Sequence, residues 1–190
     1  MTDCRVQTTL FKLYGDYDIL YCDPPWTYAS PGAVRPSDRI DAHYPTMLLD
    51  EIKALPIEDW AARDCILYLW ATPPLLPEAL EVMAAWGFRY CTCAVWDKKW
   101  IAMGYWFRGQ HEILLVGVRG NASPPEASLR KSSVFREQRR RHSRKPDCVR
   151  AYIDSCFPDA RKIELFARER FDGWDAWGNE ILNLNILVQE

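Results

Sequence analysis

Residues 18–26 read Asp18-Ile19-Leu20-Tyr21-Cys22-Asp23-Pro24-Pro25-Trp26, an apolar run that stops on a carboxylate, two proline rings and an indole. A short apolar run bounded by turn residues predicts a buried strand over Asp18–Cys22. The prolines then remove two backbone donors, so the ladder cannot continue past Cys22. Similar runs predict strands over Cys65–Ala71, Phe88–Trp96, His111–Val118 and Lys162–Phe166. Between them, Leu48–Leu55 predicts a short helix. Leu76, Leu80, Met83 and Ala84 recur at helical spacing from Pro74, with Gly87 where a helix would end. Ser143 and Pro146-Asp147 signal the start of a third helix through Val149–Cys156. This alternation predicts an α/β sandwich with a largely parallel sheet, whose ligands gather at the carboxyl ends of the strands. Asp23 falls at such an end.

The chain has 190 residues, 48% of them hydrophobic and 26% charged, which suits one domain over 1–190 with a substantial core. No window reaches 18 apolar residues, and Met1-Thr2-Asp3-Cys4-Arg5 lacks the order of a secretory signal, so no membrane span and a cytoplasmic location are expected. The seven cysteines are odd in number and lie mostly in apolar stretches, which fits reduced thiols and no metal site.

The net charge of −2 conceals an asymmetry. From Arg119 to Arg150 there are ten Lys or Arg against Glu126, Glu137 and Asp147, leaving this stretch at about +7 and the remainder at about −9. Such a segment calls for an anionic partner or is a solvated loop. Thr27–Pro45, rich in Pro, Ser, Gly and charge, is a long loop directly after the Asp-Pro-Pro-Trp motif, and loops of that length are often functional. Both 27–45 and 121–145 are expected to be mobile.

A chemical reason for Asp23-Pro24-Pro25-Trp26 lies in the exocyclic amino group of a nucleobase. That nitrogen is planar and weakly nucleophilic because its lone pair is delocalised into the ring. Methylating it requires a site that accepts both N–H hydrogens and directs the lone pair at an electrophilic methyl. Asp23 can accept one hydrogen and the Pro24 carbonyl the other, with Pro25 fixing the turn. Trp26 and Tyr28 can stack on the base. The competing reading is a proline turn with a buried tryptophan closing a strand.

Further motifs follow in a fixed order: Gln110-His111-Glu112 running to Gly117-Val-Arg-Gly120, His142-Ser-Arg-Lys-Pro146, Lys162-Ile-Glu-Leu-Phe-Ala-Arg168, and Gly173-Trp-Asp-Ala-Trp-Gly-Asn-Glu180. With Asp23–Trp26, they make the chain resemble, from Asp18 to Glu180, the N6-adenine methyltransferases. That family includes the catalytic subunit of the eukaryotic messenger-RNA m6A writer and small bacterial and phage enzymes.

The resemblance implies a Rossmann-like S-adenosylmethionine-dependent methyltransferase fold, a single three-layer sandwich in permuted motif order. It implies S-adenosylmethionine as methyl donor, leaving S-adenosylhomocysteine. Asp23 and Pro24 would hold the adenine amino group and Trp26 would flank the base, with Asp23 also beside the cofactor. Glu164 and Arg168 match positions near the cofactor ribose, Asn179 and Glu180 match the pair on the ribose hydroxyls, and Gln110 and His111 face the methionine end. The basic segment, including Arg139, Arg140, Arg141, His142 and Lys145, would neutralise phosphates. No Gly-x-Gly loop follows an N-terminal strand, so the cofactor assignment rests on the resemblance.

The expected activity is methyl transfer to adenine N6 in nucleic acid, with DNA as the polymer because the small chain looks like the bacterial and phage members. The alternatives are RNA as substrate, a non-catalytic nucleic-acid-binding scaffold subunit, or methylation of a planar side-chain amide. A monomer or a homodimer is expected, with room for a partner subunit.

Overall fold

The computed structural model describes residues 16–27, 46–104, 106–140, 144–178 and 181. In chain order its elements are β1 (Tyr17–Cys22), α1 (Leu49–Lys53), β2 (Ala61–Ala71), α2 (Leu76–Ala85), β3 (Arg89–Asp97), β4 (His111–Arg119), β5 (Val134–Arg136), α3 (Asp147–Cys156), β6 (Lys162–Leu165) and β7 (Asp175–Trp177). The strands form one sheet in the order β5-β3-β4-β2-β1-β6-β7. β4 runs antiparallel to both β2 and β3, and the other four pairings are parallel.

Both faces of the central strands are covered. Leu20, Cys22, Cys65, Leu67, Leu69 and Ala71 pack on one side with Ile52 of α1 and Ala79, Val82 and Met83 of α2. Ile19, Tyr21, Ile66, Tyr68 and Trp70 pack on the other with Val149 and Ile153 of α3. This two-sided burial is why the β1 and β2 runs are continuously apolar. It yields a three-layer, Rossmann-like α/β sandwich.

Three indoles are fully buried, and each has a partner for its N–H. Trp70 donates to the Tyr21 hydroxyl (2.8 Å), Trp86 to the Ile52 carbonyl (3.0 Å) and Trp96 to the Glu137 carbonyl (2.8 Å). Their burial therefore leaves no orphaned donor to offset the apolar gain. Cys22 and Cys65 lie in the first core. Burial pushes both thiols up, Cys65 to about 12 and Cys22 well above its usual value. Cys91, near the start of β3, is exposed.

The expected helices and five expected strands are present with ends shifted by a few residues. Gly87 follows α2 with φ of 77°, a conformation that favours glycine. Two departures concern β5 and β7, three-residue strands that carry no apolar run. A third is Phe166, expected in a strand. Its φ is 64°, so β6 stops at Leu165, and the Phe166 and Trp177 rings meet edge to face with centroids 5.5 Å apart.

The register fixes what meets at one edge. The carboxyl ends of β1, β2, β6 and β7 lie together, because these strands pair in parallel. Ala71 pairs near the start of β4 with Ile113, and His111 pairs with Asp97 at the end of β3. The turn after β1, the β3–β4 loop and the segment leading into α3 therefore share that edge.

Candidate active site

β1 delivers Asp23 at its exit, and the following turn is tightly held. The Trp26 N–H donates to the Pro24 carbonyl (2.9 Å), and the Met47 N–H donates to the Pro25 carbonyl (2.9 Å). Thr27 Oγ1 closes the same bridge by donating to the Met47 carbonyl (2.7 Å). A carbonyl has two lone pairs, so Pro24 keeps one acceptor position. Trp26 is only 8% exposed, packs in the first core and donates its indole N–H to the Trp70 carbonyl (3.1 Å). Its position is that of a brace under the turn, and little of its ring surface is left for stacking.

Around Asp23 an alternating charge chain runs across the α3 side of the sheet. Lys145 Nζ lies 2.9 Å from Asp23 Oδ1 and 2.8 Å from Glu112 Oε2. Lys98 Nζ lies 3.3 Å from Glu112 Oε1. Further along the edge, Arg150 pairs with Glu164 at 2.7 Å. The floor beneath is aromatic: Tyr21, Trp70 and Trp96 meet edge to face at 6.5 and 6.1 Å. Lys145 stands 5.5 Å over the Trp70 ring, and Arg150 stands 5.7 Å over Tyr21 and 3.5 Å over Phe171. Cations over ring faces are stabilised where water is scarce.

These contacts set the protonation states. Burial raises the Asp23 carboxyl above its ordinary value, and Lys145 works against that rise. Burial likewise raises Glu164, opposed by Arg150. At Glu112, burial pushes upward, but Lys145 and Lys98 together win and hold the carboxyl below its usual range. Lys145 itself is desolvated, which favours loss of its proton, yet its two carboxylates outweigh this and raise it. The ammonium form therefore persists between two carboxylates.

The other residues expected in the site fall in several places. Gln110 donates to Asp97 Oδ1 (2.9 Å), closing the mouth of the β3–β4 hairpin, and His111 is exposed at the first position of β4. Arg168 is exposed just beyond β6, near enough to Asp23 to favour its carboxylate. Tyr28, Arg141, His142, Asn179 and Glu180 lie outside the described residues, as does most of the 27–45 loop.

The basic segment divides. Arg139 is exposed. Arg140 forks between Asp147 (2.7 Å) and Glu137 (2.9 Å), which occupies its charge. Lys145 is 12% exposed and neutralised by Asp23 and Glu112, so it belongs to the site's interior and offers no free charge to a phosphate. Glu112 and Lys98 receive no role from the sequence. The available signal is a carboxylate inside the apolar strand Glu112-Ile-Leu-Leu-Val116.

The geometry suits a ligand that carries hydroxyl groups or positive charge. Asp23 and Glu164 sit at the ends of the neighbouring strands β1 and β6, where the helices switch from one face of the sheet to the other. Such a crevice is where open α/β sheets bind ligands. Its carboxylates accept hydroxyl hydrogens and favour positive charge.

Known proteins share this chain's sequence over nearly its whole length. A family model described as MT-A70 matches residues 17–180. The Type II methyltransferase M.MunI of a Mycoplasma species is 35% identical over 87% of this chain and 78% of its own length. The N(6)-adenosine-methyltransferase MT-A70-like protein of Arabidopsis thaliana is 26% identical over 97% of this chain and 27% of its own. The human N(6)-adenosine-methyltransferase catalytic subunit METTL3 is 26% identical over 97% of this chain and 31% of its own. The chain thus spans about a third or less of these two eukaryotic relatives.

Proposed function

The chain belongs to the MT-A70 family, and on that premise we propose that it moves a methyl group from S-adenosylmethionine to the N6 nitrogen of adenine in DNA. The reaction class follows from the family and its named relatives: the protein is an adenine N6-methyltransferase. The donor, the polymer and the residues in each role are our reading.

The observation that carries the residue roles is the Asp23 carboxylate at the end of β1, fixed 2.9 Å from Lys145 beside the Pro24 carbonyl. Asp23 and the Pro24 carbonyl accept the two N6 hydrogens, which draws the lone pair out of conjugation and aims it away from the ring. S-adenosylmethionine, when bound, supplies an electrophilic methyl on sulfur. Asp23 and Glu164 would hold the cofactor side of the crevice, and Asn179 and Glu180 the ribose hydroxyls.

Lys145 positions Asp23 and favours its carboxylate form against the burial that raises it. As the new N–C bond forms, nitrogen gains positive charge, which the carboxylate stabilises before the N6 proton passes to Asp23 or to solvent. The exposed arginines of the basic segment contact phosphates. Among the described residues no helix is long and apolar enough to cross a membrane.

The test is incubation with methyl-labelled S-adenosylmethionine and separate pools of single-stranded DNA, duplex DNA and RNA, followed by digestion to nucleosides. Labelled N6-methyladenine in a DNA pool, abolished by Asp23→Ala, is expected. Label in RNA alone would move the substrate to RNA. Label that survives Asp23→Ala would remove Asp23 from the mechanism.

A further inference from the structure

The β3–β4 loop, residues 98–110, stands out at the active-site edge. Trp106 is 95% exposed and Phe107 89%, and Met103, Ile101 and Trp100 are exposed beside them. Exposed apolar surface of this concentration marks an interaction site. The loop stem is built: Lys98 N–H donates to the Gln110 carbonyl (2.9 Å), Ala102 N–H to the Gly109 carbonyl (2.8 Å), and Arg108 to Met103 Sδ (3.1 Å).

We propose that this loop is a stacking platform for unpaired bases flanking the target adenine, an inference that rests on the nucleic-acid reading above. Three observations favour bases over a protein partner. The loop carries exposed Lys99 and Arg108 and no carboxylate, a charge that complements phosphates. Arg136 and Arg139, both exposed, flank it through backbone bonds from Glu137 N–H to the Asp97 carbonyl (3.3 Å) and from Arg139 N–H to the Lys98 carbonyl (3.1 Å). The stem also joins the catalytic turn through Lys98, Glu112, Lys145 and Asp23. Flat rings rimmed by cations beside the reacting group form the pattern by which proteins hold single strands. An adenine drawn into the site leaves its neighbours unstacked, and the rings of Trp106 and Phe107 take the place of the missing base.

The experiment compares two single-stranded oligonucleotides of equal length by fluorescence anisotropy, one with ordinary bases beside the adenine and one with abasic residues there. The phosphates are the same in both. The wild type is expected to prefer the first by about tenfold or more. Trp106→Ala/Phe107→Ala should erase the preference, and Trp106→Phe/Phe107→Tyr should retain it. A matched melting temperature shows that the double-alanine variant is folded. A preference that survives the double alanine substitution overturns the proposal. So does a fall in oligomer size with oligonucleotide binding unchanged, which would make the loop a protein interface. A wild type that binds neither oligonucleotide overturns the nucleic-acid reading itself, which the label-transfer assay judges independently.

Discussion

The ammonium of Lys145 lies 2.9 Å from the Asp23 carboxylate, although one residue precedes α3 and the other follows the first strand. The pair exists only because β1 and α3 meet at one edge of the sheet. Lys145 also holds Glu112 at 2.8 Å, so one cation serves two carboxylates.

Lys145→Met should therefore leave two partly buried carboxylates without their shared cation. Removing one partner of a buried pair costs about 3–5 kcal/mol, and the Lys98 contact to Glu112 puts this site at the low end. Denaturant unfolding should show that loss, and Lys145→Arg should recover part of it. An unfolding midpoint equal to the wild type would mean that the pair contributes nothing net.

The pH dependence has a definite sign. Asp23 is raised chiefly by burial, with Lys145 opposing, so a reaction that needs its carboxylate should lose rate at a higher pH than an ordinary aspartate would allow. Without Lys145 the opposing influence disappears, and the acid limb of kcat/KM should move to still higher pH in a Lys145→Met enzyme. An unmoved limb would identify a different titrating group. Stability runs through the same groups in opposite senses. Glu112, depressed in the fold, contributes stability above its unfolded pKa that is lost as pH falls through the folded value. Asp23, raised in the fold, contributes stability below its unfolded pKa that is lost as pH rises through the folded value.

Trp26→Ala should cost about 3–5 kcal/mol, the range for deleting a buried large aromatic, because the indole fills the core beneath the motif and bonds the Trp70 carbonyl. Trp26→Phe should cost less, about 1–3 kcal/mol, because it leaves the Trp70 carbonyl without its partner and a smaller ring in the core. If the phenylalanine enzyme keeps its affinity for single-stranded substrate and wild-type turnover, the bracing role is upheld. A large drop in substrate affinity with unchanged stability would restore stacking on the base.

Gly178 runs so close to the chain leaving β6 that an added Cβ would collide with the Ala167 carbonyl. Gly178→Ala should lower stability by about 1–3 kcal/mol, the usual cost of overpacking. It should also weaken cofactor binding measured by calorimetry, since Asn179 and Glu180 follow directly. Unchanged binding would detach those two residues from the cofactor.

The basic segment should divide by function. Substituting exposed Arg136 and Arg139 with alanine should flatten the salt dependence of nucleic-acid binding, by about one slope unit for every phosphate that the variant leaves unneutralised. Arg140→Ala should instead lower the melting temperature, because its guanidinium is held by Asp147 and Glu137. A reduced salt slope for the Arg140 variant, with stability intact, would reverse that assignment.

Much of this arrangement is legible before any coordinates. Central strands buried on both faces carry continuous apolar runs, so β1 and β2 announce themselves, and the Asp23–Trp26 stop marks where the site begins. β5 and β7 do not, because three residues at a sheet margin bury too little to leave a pattern. Lys145 illustrates a deeper limit. Among so many cations, nothing local distinguishes one destined for the interior, since its environment is supplied by Asp23 and Glu112 from distant parts of the chain. Glu112 is more readable, since a carboxylate inside an apolar strand needs a partner.

The placement of the cysteines offers an experimental handle. Thiolates, not thiols, react with alkylating reagents, and the buried Cys22 and Cys65 are held protonated in the core. Cys148 is exposed as well, but partial desolvation and the neighbouring Glu137 lift its thiol to about 11. Exposed Cys91 lies near the start of β3, at the opposite end of that strand from Asp97 and the active-site edge. In a Cys4→Ser background, a maleimide dye should attach there first, remote from the catalytic turn. The protein can then be tracked on single nucleic-acid molecules without touching the proposed catalytic groups.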